Sequence, residues 1–300
     1  GYLLLGWAAI SIMPVLKWPA CLILTCPMAL FLAGSLSADP ITTGMAFLAI
    51  ALVLRCALSK LMVSTGGFTA LLLVMVGVTL CKSAYFPLAL LVLAIPFEKW
   101  GAGHRRWIMP LLVVFASIAV FGVWAFLSKA PHAHMHGDDP TDQLQWVLHN
   151  PGAYAKIFGS SLLTQAVPLV YSGIGVLGSL DTPLAPSFLQ FFLVCLAWIT
   201  FAYDEPLPLR LWPRLIAAIV LIACIGVVVT ADYLAWTKIG QSPVQGLQGR
   251  YFLPVSLLVC LLVRRSGRYP AQPQWMLALL SCFSLYMVWA LVARYYLKLS

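Results

Sequence analysis

The residues best equipped for chemistry are Arg250 and Tyr251, in GLQGRYFLP from Gly246, and Lys82 and Tyr85, in CKSAYFPLALL from Cys81. A guanidinium is a planar fork of donors suited to a phosphate group. Between Gly246, Gly249 and Tyr251, that of Arg250 is expected to have open backbone on one side and an amphipathic ring on the other. The competing reading is that arginine at a helix end snorkels to the membrane surface, where tyrosine also gathers. Lys82 separates two short apolar runs. An ionisable group at membrane depth is expensive and is by default functional, with a partner to be found.

Two aspartates could do acid-base or cation chemistry. Asp39, in SLSADPITTG from Ser35, and Asp181, in GVLGSLDTPL from Gly175, each precede an apolar run. Aspartate before proline is ordinary chemistry for a helix start, with proline in the first turn. The other reading is an outward carboxylate that binds a cation or takes a proton, which makes Asp39 and Asp181 the catalytic candidates. His132, His134 and His136 alternate in a run followed by Asp138 and Asp139. An extended HxHxH run puts alternate imidazoles on one face, so these histidines and Asp138 are candidates for a divalent metal ion. Histidines among glycine and proline are more often simply solvated. No Walker A, GxGxxG, GxSxG or HExxH arrangement occurs.

The elements that must position these groups follow from composition. With 62% hydrophobic residues, 9% charged and a mean hydropathy of +0.95, the 300-residue chain is a polytopic, all-α membrane protein. Apolar runs near 2–16, 19–37, 40–54, 67–80, 84–97, 107–127, 184–202, 214–231, 251–263 and 274–296 predict about ten crossings in one domain. The runs at 67–80 and 84–97 are short enough to form a re-entrant hairpin instead. The segment 128–183 is the one long polar insertion, and within it 142–164 reads as a helix lying on the membrane face or as a lid.

Alternating the spans puts Lys17, Arg55, Lys60, Lys99, Arg105, Arg106, Arg210, Arg214, Arg264, Arg265 and Arg268 on one side, with three acids. That side is the cytoplasm by the positive-inside rule. Lys82, Arg250, Asp39, Asp181 and the 128–183 insertion fall outside. The formal charge of +9 thus reports membrane orientation, and nucleic acid is excluded as a partner. The eight cysteines form no CxxC pair and read as small apolar residues.

Five runs in order, SLSADPITTGMAFLAIALVLR, CKSAYFPLALL, NPGAY, GVLGSLDTPL and GLQGRYFLP, resemble the bacterial membrane-protein family called domain of unknown function 2142. That family is in turn similar to the GT-C glycosyltransferases, multi-span enzymes that take a sugar from a polyprenyl-phosphate donor outside the cytoplasmic membrane. The resemblance implies a GT-C-like bundle, a polyprenyl-phosphate-linked sugar and membrane lipid as partners, and Lys82, Tyr85, Arg250 and Tyr251 near the lipid phosphate. It also implies that the N-terminal spans and the outer loop holding the usual catalytic acid precede Gly1. Two other classes stay open: a transporter or flippase for lipid-linked glycan, and a non-catalytic scaffold.

Overall fold

The computed structural model describes residues 1–127, 139–178, 181–202, 211–264 and 273–297. His132, His134, His136 and Asp138 lie outside the described residues. Among the described residues the chain is a helical bundle with one two-stranded hairpin. Its first half runs α1 (Tyr2–Ile12), α2 (Lys17–Leu24), α3 (Pro27–Ala33), α4 (Asp39–Leu58) and α5 (Thr65–Cys81), followed by 3₁₀ helices at Ser83–Ala94 and Phe97–Trp100, then α6 (Arg105–Leu127). The second half has α7 (Pro140–His149), α8 (Pro151–Gly175), β1 (Val176–Leu177), β2 (Thr182–Pro183), α9 (Pro186–Ala202) and α10 (Leu211–Trp236). A 3₁₀ turn at Gly249–Phe252, α11 (Leu253–Val263) and α12 (Pro273–Tyr295) close it.

Among the described residues, α4, α6, α8, α10 and α12 are long and apolar enough to cross a membrane. Their outer faces carry large apolar side chains, such as Phe115, Ile222 and Leu285, of the kind a lipid-facing surface needs. The run expected at 19–37 is broken between α2 and α3: Thr25 Oγ1 donates to the Cys21 carbonyl at 2.7 Å, and Pro27 starts the next helix. The run expected at 84–97 is mostly a 3₁₀ rod of 12 residues containing Pro87. At about 2.0 Å per residue a 3₁₀ helix of that length reaches roughly 24 Å, against about 18 Å for an α-helix. A short sequence thereby reaches further than an α-helix would, and its Tyr85, Leu88 and Val92 are buried among the neighbouring helices.

Chain direction defines two ends. At one lie the start of α4, the end of α5, the end of α10 and the start of α11. At the other, Lys99 Nζ donates to the carbonyls of Cys56 and Ala57 at 3.2 and 2.8 Å and to that of Ser59, closing the C-terminus of α4. Buried Arg264 there donates to the Thr200 carbonyl at 3.2 Å, and Arg214 donates to the Arg264 carbonyl at 3.1 Å.

The described part of the 128–183 insertion is ordered helix and hairpin. Asp139 caps α7, accepting from the Thr141 amide at 2.8 Å, so its carboxylate serves the backbone. Gln143 is buried and donates to the carbonyls of Tyr233 and Thr237 at 2.8 and 2.6 Å, which clamps α7 onto the end of α10. Although α8 has the length of a span, it packs along the segment that joins α10 to α11. Its Ser161 Oγ accepts from the Val244 amide at 2.9 Å, Gln165 donates to the Val244 carbonyl at 3.0 Å, and Ser172 Oγ accepts from the Gly249 amide at 3.0 Å. Its far end joins the hairpin, where the Leu184 amide donates to the Gly175 carbonyl at 2.8 Å. Both ends of α8 therefore sit at the same end of the bundle, and the helix roofs it with exposed apolar residues such as Leu163, 82% accessible.

Candidate functional site

Four segments far apart in sequence meet beside this roof. Asp39 opens α4, with Pro40 in the first turn, but its side chain does not cap the helix. The carboxylate turns instead to two cations, which overturns the capping reading. Lys82 Nζ donates to Asp39 Oδ1 at 3.1 Å, and Arg250 Nε stands 3.6 Å from Asp39 Oδ2. The first contact is a charge-assisted hydrogen bond; the second is an ion pair too long to be one.

Lys82 reaches this position because α5 ends at Cys81 and the chain becomes extended at Lys82 before the 3₁₀ rod begins. Arg250 and Tyr251 lie in the 3₁₀ turn that leads into α11. The Tyr251 ring underlies both cations, with Lys82 Nζ 4.1 Å and Arg250 Cζ 5.6 Å from its centroid. Each such contact contributes about 0.5 to 2 kcal/mol depending on desolvation. Side-chain exposures of 16% for Asp39, 33% for Lys82 and 28% for Arg250 leave the cluster half-sunk and open on one side.

The glycines near Arg250 do a different job from the one the sequence suggests. A Cβ on Gly249 would collide with the Leu169 carbonyl and the Gly173 amide of α8, so only a bare backbone lets the 3₁₀ turn lie this close. Gly246 has φ +80°, and a Cβ there would stand 2.8 Å from the Trp236 ring. Gly249 is buried against α8, and the two glycines set the path that delivers the guanidinium. Tyr85 also changes role. It is 1% exposed, and its hydroxyl donates to the Tyr251 carbonyl at 2.5 Å. It holds the turn in place and is not free to touch a phosphate.

Asp181 lies in the hairpin, within 3.3 Å of the donating Thr182 Oγ1 and 3.5 Å of the donating Tyr295 hydroxyl. These contacts tie the hairpin to α12, while the Asp39 cluster is built from α4, α5, the 3₁₀ turn and α10. Among the described residues no group of three or more His, Cys, Asp or Glu side chains is placed to hold a metal ion.

Sequence reasoning missed Asp232. The apolar run ends near 231, whereas α10 continues to Trp236, so this acid lies within the last turns of a helix. Asp232 is half-buried, lies within electrostatic reach of Lys82, Tyr85 and Tyr251, and has a buried Oδ2 with no hydrogen bond. The signal available was an acid directly following a long apolar run. An apolar cleft of about 410 Å³ lies under the roof, between α8, α9, α10 and α11, and reaches Gly249, one residue from Arg250.

Residues 1–259 match the family described as Predicted membrane protein (DUF2142), which spans every group in this cluster. The chain belongs to this family. No curated protein and no solved structure matches it. DUF2142 membership agrees with the bundle of long apolar helices, and the matched region includes both the roof and the 3₁₀ turn that carries Arg250.

Proposed function

We propose that this DUF2142 protein is a membrane glycosyltransferase that draws a sugar from a polyprenyl-phosphate carrier at the end of the bundle holding Asp39, Lys82 and Arg250, on the outer face of a bacterial cytoplasmic membrane. The observation that carries the reading is the convergence of Lys82 and Arg250 over one tyrosine ring in a half-open cluster. Lysine has three donors and arginine five, and Asp39 occupies only part of that set, so both cations retain capacity for phosphate oxygens. A phosphate leaving group develops charge in the transition state, and fixed cations in a poorly hydrated site stabilise that charge without reorganising. The cleft that reaches Gly249 suits the hydrocarbon of such a carrier.

A transporter needs a polar route through the membrane depth. Among the described residues the charged side chains cluster at the two ends of the bundle, which favours chemistry at one face over a transport path. The test is direct binding of polyprenyl monophosphate to purified protein in nanodiscs, followed by transfer of labelled sugar from short-chain polyprenyl-phosphate hexoses to cell-envelope acceptors. Binding with transfer supports the enzyme. Movement of intact lipid-linked sugar across the bilayer without transfer makes the protein a transporter, and no binding at all removes both.

A further inference from the structure

The cluster holds two carboxylates in different states. Both oxygens of Asp39 face cations, Oδ1 taking the Lys82 hydrogen bond and Oδ2 facing Arg250. A carboxylate held in this way neutralises and orients the cations, so its negative charge is already committed to them. Asp232 has no such partner: Oδ2 is buried and accepts no hydrogen bond, although Lys82, Tyr85 and Tyr251 lie within its electrostatic reach. Leaving a buried acceptor unsatisfied costs about 1 to 3 kcal/mol, and more for a charged group. A catalytic role is one of the reasons a protein keeps such a group.

The scaffold around Asp232 is held from three sides. Gln143 of α7 donates to the carbonyls of Tyr233 and Thr237, the Tyr154 hydroxyl of α8 is 2.7 Å from Thr230 Oγ1, and the Gly240 amide donates to the Tyr233 hydroxyl at 2.9 Å. The turn of α10 that carries Asp232 is therefore fixed on both flanks, while the carboxylate itself remains unclaimed. Catalytic groups work best in this arrangement, with the backbone immobilised and the functional atom free.

We infer that Asp232, not Asp39 or Asp181, is the general base of the site, in place of the earlier outer-loop acid that the GT-C resemblance implies; the role rests on the transferase reading. The acceptor is an alcohol, the hydroxyl of a glycan or lipid. Its oxygen attacks the anomeric carbon of the donor sugar and its proton passes to Asp232. The bond between that carbon and the phosphate oxygen breaks, and the electron pair leaves with polyprenyl monophosphate, which Lys82 and Arg250 receive. No oxidant, reductant or further reactant is needed.

The test compares Asp232→Asn and Asp232→Glu with the parent in nanodiscs, reading polyprenyl monophosphate affinity, melting temperature and sugar transfer from a short-chain polyprenyl-phosphate hexose. The amide keeps the shape of the side chain but cannot take a proton at neutral pH. Asp232→Asn is expected to lower transfer a hundredfold or more, with monophosphate affinity within threefold of the parent and Asp232→Glu recovering part of the rate. Transfer by Asp232→Asn within fivefold of the parent overturns the assignment and leaves the transferase standing. A loss of affinity that parallels the loss of rate also overturns it, since Asp232 is then a binding or structural residue. A parent that binds polyprenyl monophosphate yet transfers no sugar removes the transferase reading, and the base with it. If Asp232→Asn fails to fold, Asp232→Glu decides: a longer carboxylate that folds and still transfers at the parent's rate is incompatible with a positioned base.

Discussion

Lys82 Nζ lies 3.1 Å from Asp39 Oδ1, and the two residues are 43 positions apart in the chain. The bond ties the junction of α5 and the 3₁₀ rod to the first turn of α4. It also gives Lys82, one of the few charged groups in an apolar bundle, an acidic partner.

The pair should show coupling. With exposures of 33% and 16% it sits between a surface ion pair, which contributes about 0 to 1 kcal/mol, and a buried one, whose breakage costs about 3 to 5. Asp39→Asn and Lys82→Met should each lower the melting temperature in detergent. The double variant should lose about 1 to 2 kcal/mol less than the sum of the singles. Strictly additive losses would mean the contact contributes nothing.

Arg250 should not be replaceable by lysine. If it grips a phosphate with two prongs, Arg250→Ala weakens polyprenyl monophosphate binding by roughly tenfold to a hundredfold, since charge-assisted bonds contribute about 1.5 to 3 kcal/mol each. Arg250→Lys keeps the charge, loses the fork and should recover only part of the affinity. Full recovery by lysine, measured by titration in nanodiscs at equal folded yield, would return Arg250 to the role of an interfacial anchor.

Gly249→Ala is expected to be severe. The added methyl meets the backbone of α8 at Leu169 and Gly173, and backbone cannot rotate out of the way as a side chain can. A cost of about 1 to 3 kcal/mol or more follows from overpacking, with lower folded yield and weakened lipid binding, because the 3₁₀ turn carrying Arg250 must shift. Gly152→Ala is the control. Nothing lies within 4 Å of a Cβ there, so a helical alanine should be neutral or stabilising. Equal melting temperatures for the two variants would contradict the close packing of α8 on the turn.

The two ends of the bundle should label from opposite sides of the membrane. Ser242 and Ala102 are exposed, the first beside the roof and the second near Lys99. In a background without native cysteines, Ser242→Cys should react with an impermeant maleimide added outside intact cells, and Ala102→Cys only after permeabilisation. The converse pattern would invert the assigned orientation.

Much of this protein is legible without coordinates because charge is scarce in an apolar chain. Each ionisable residue near a membrane carries a desolvation cost that must be met, so Lys82, Arg250 and Asp39 stand out by type and position alone, as do the membrane character and the basic side. Other features depend on which distant segments pack together, and local sequence does not encode that. The identity of the partner of Lys82, the reassignment of Tyr85 from phosphate ligand to prop, and the service of Gly249 to α8 packing are all of this kind. Asp232 is hidden by a boundary: helix continuation past Ala231 is set by the clamp from Gln143 and by packing of Tyr233, both tertiary. The same reason explains α8. Its length and hydropathy suit a membrane span, and only its bonds to the 242–249 segment lay it across the end of the bundle.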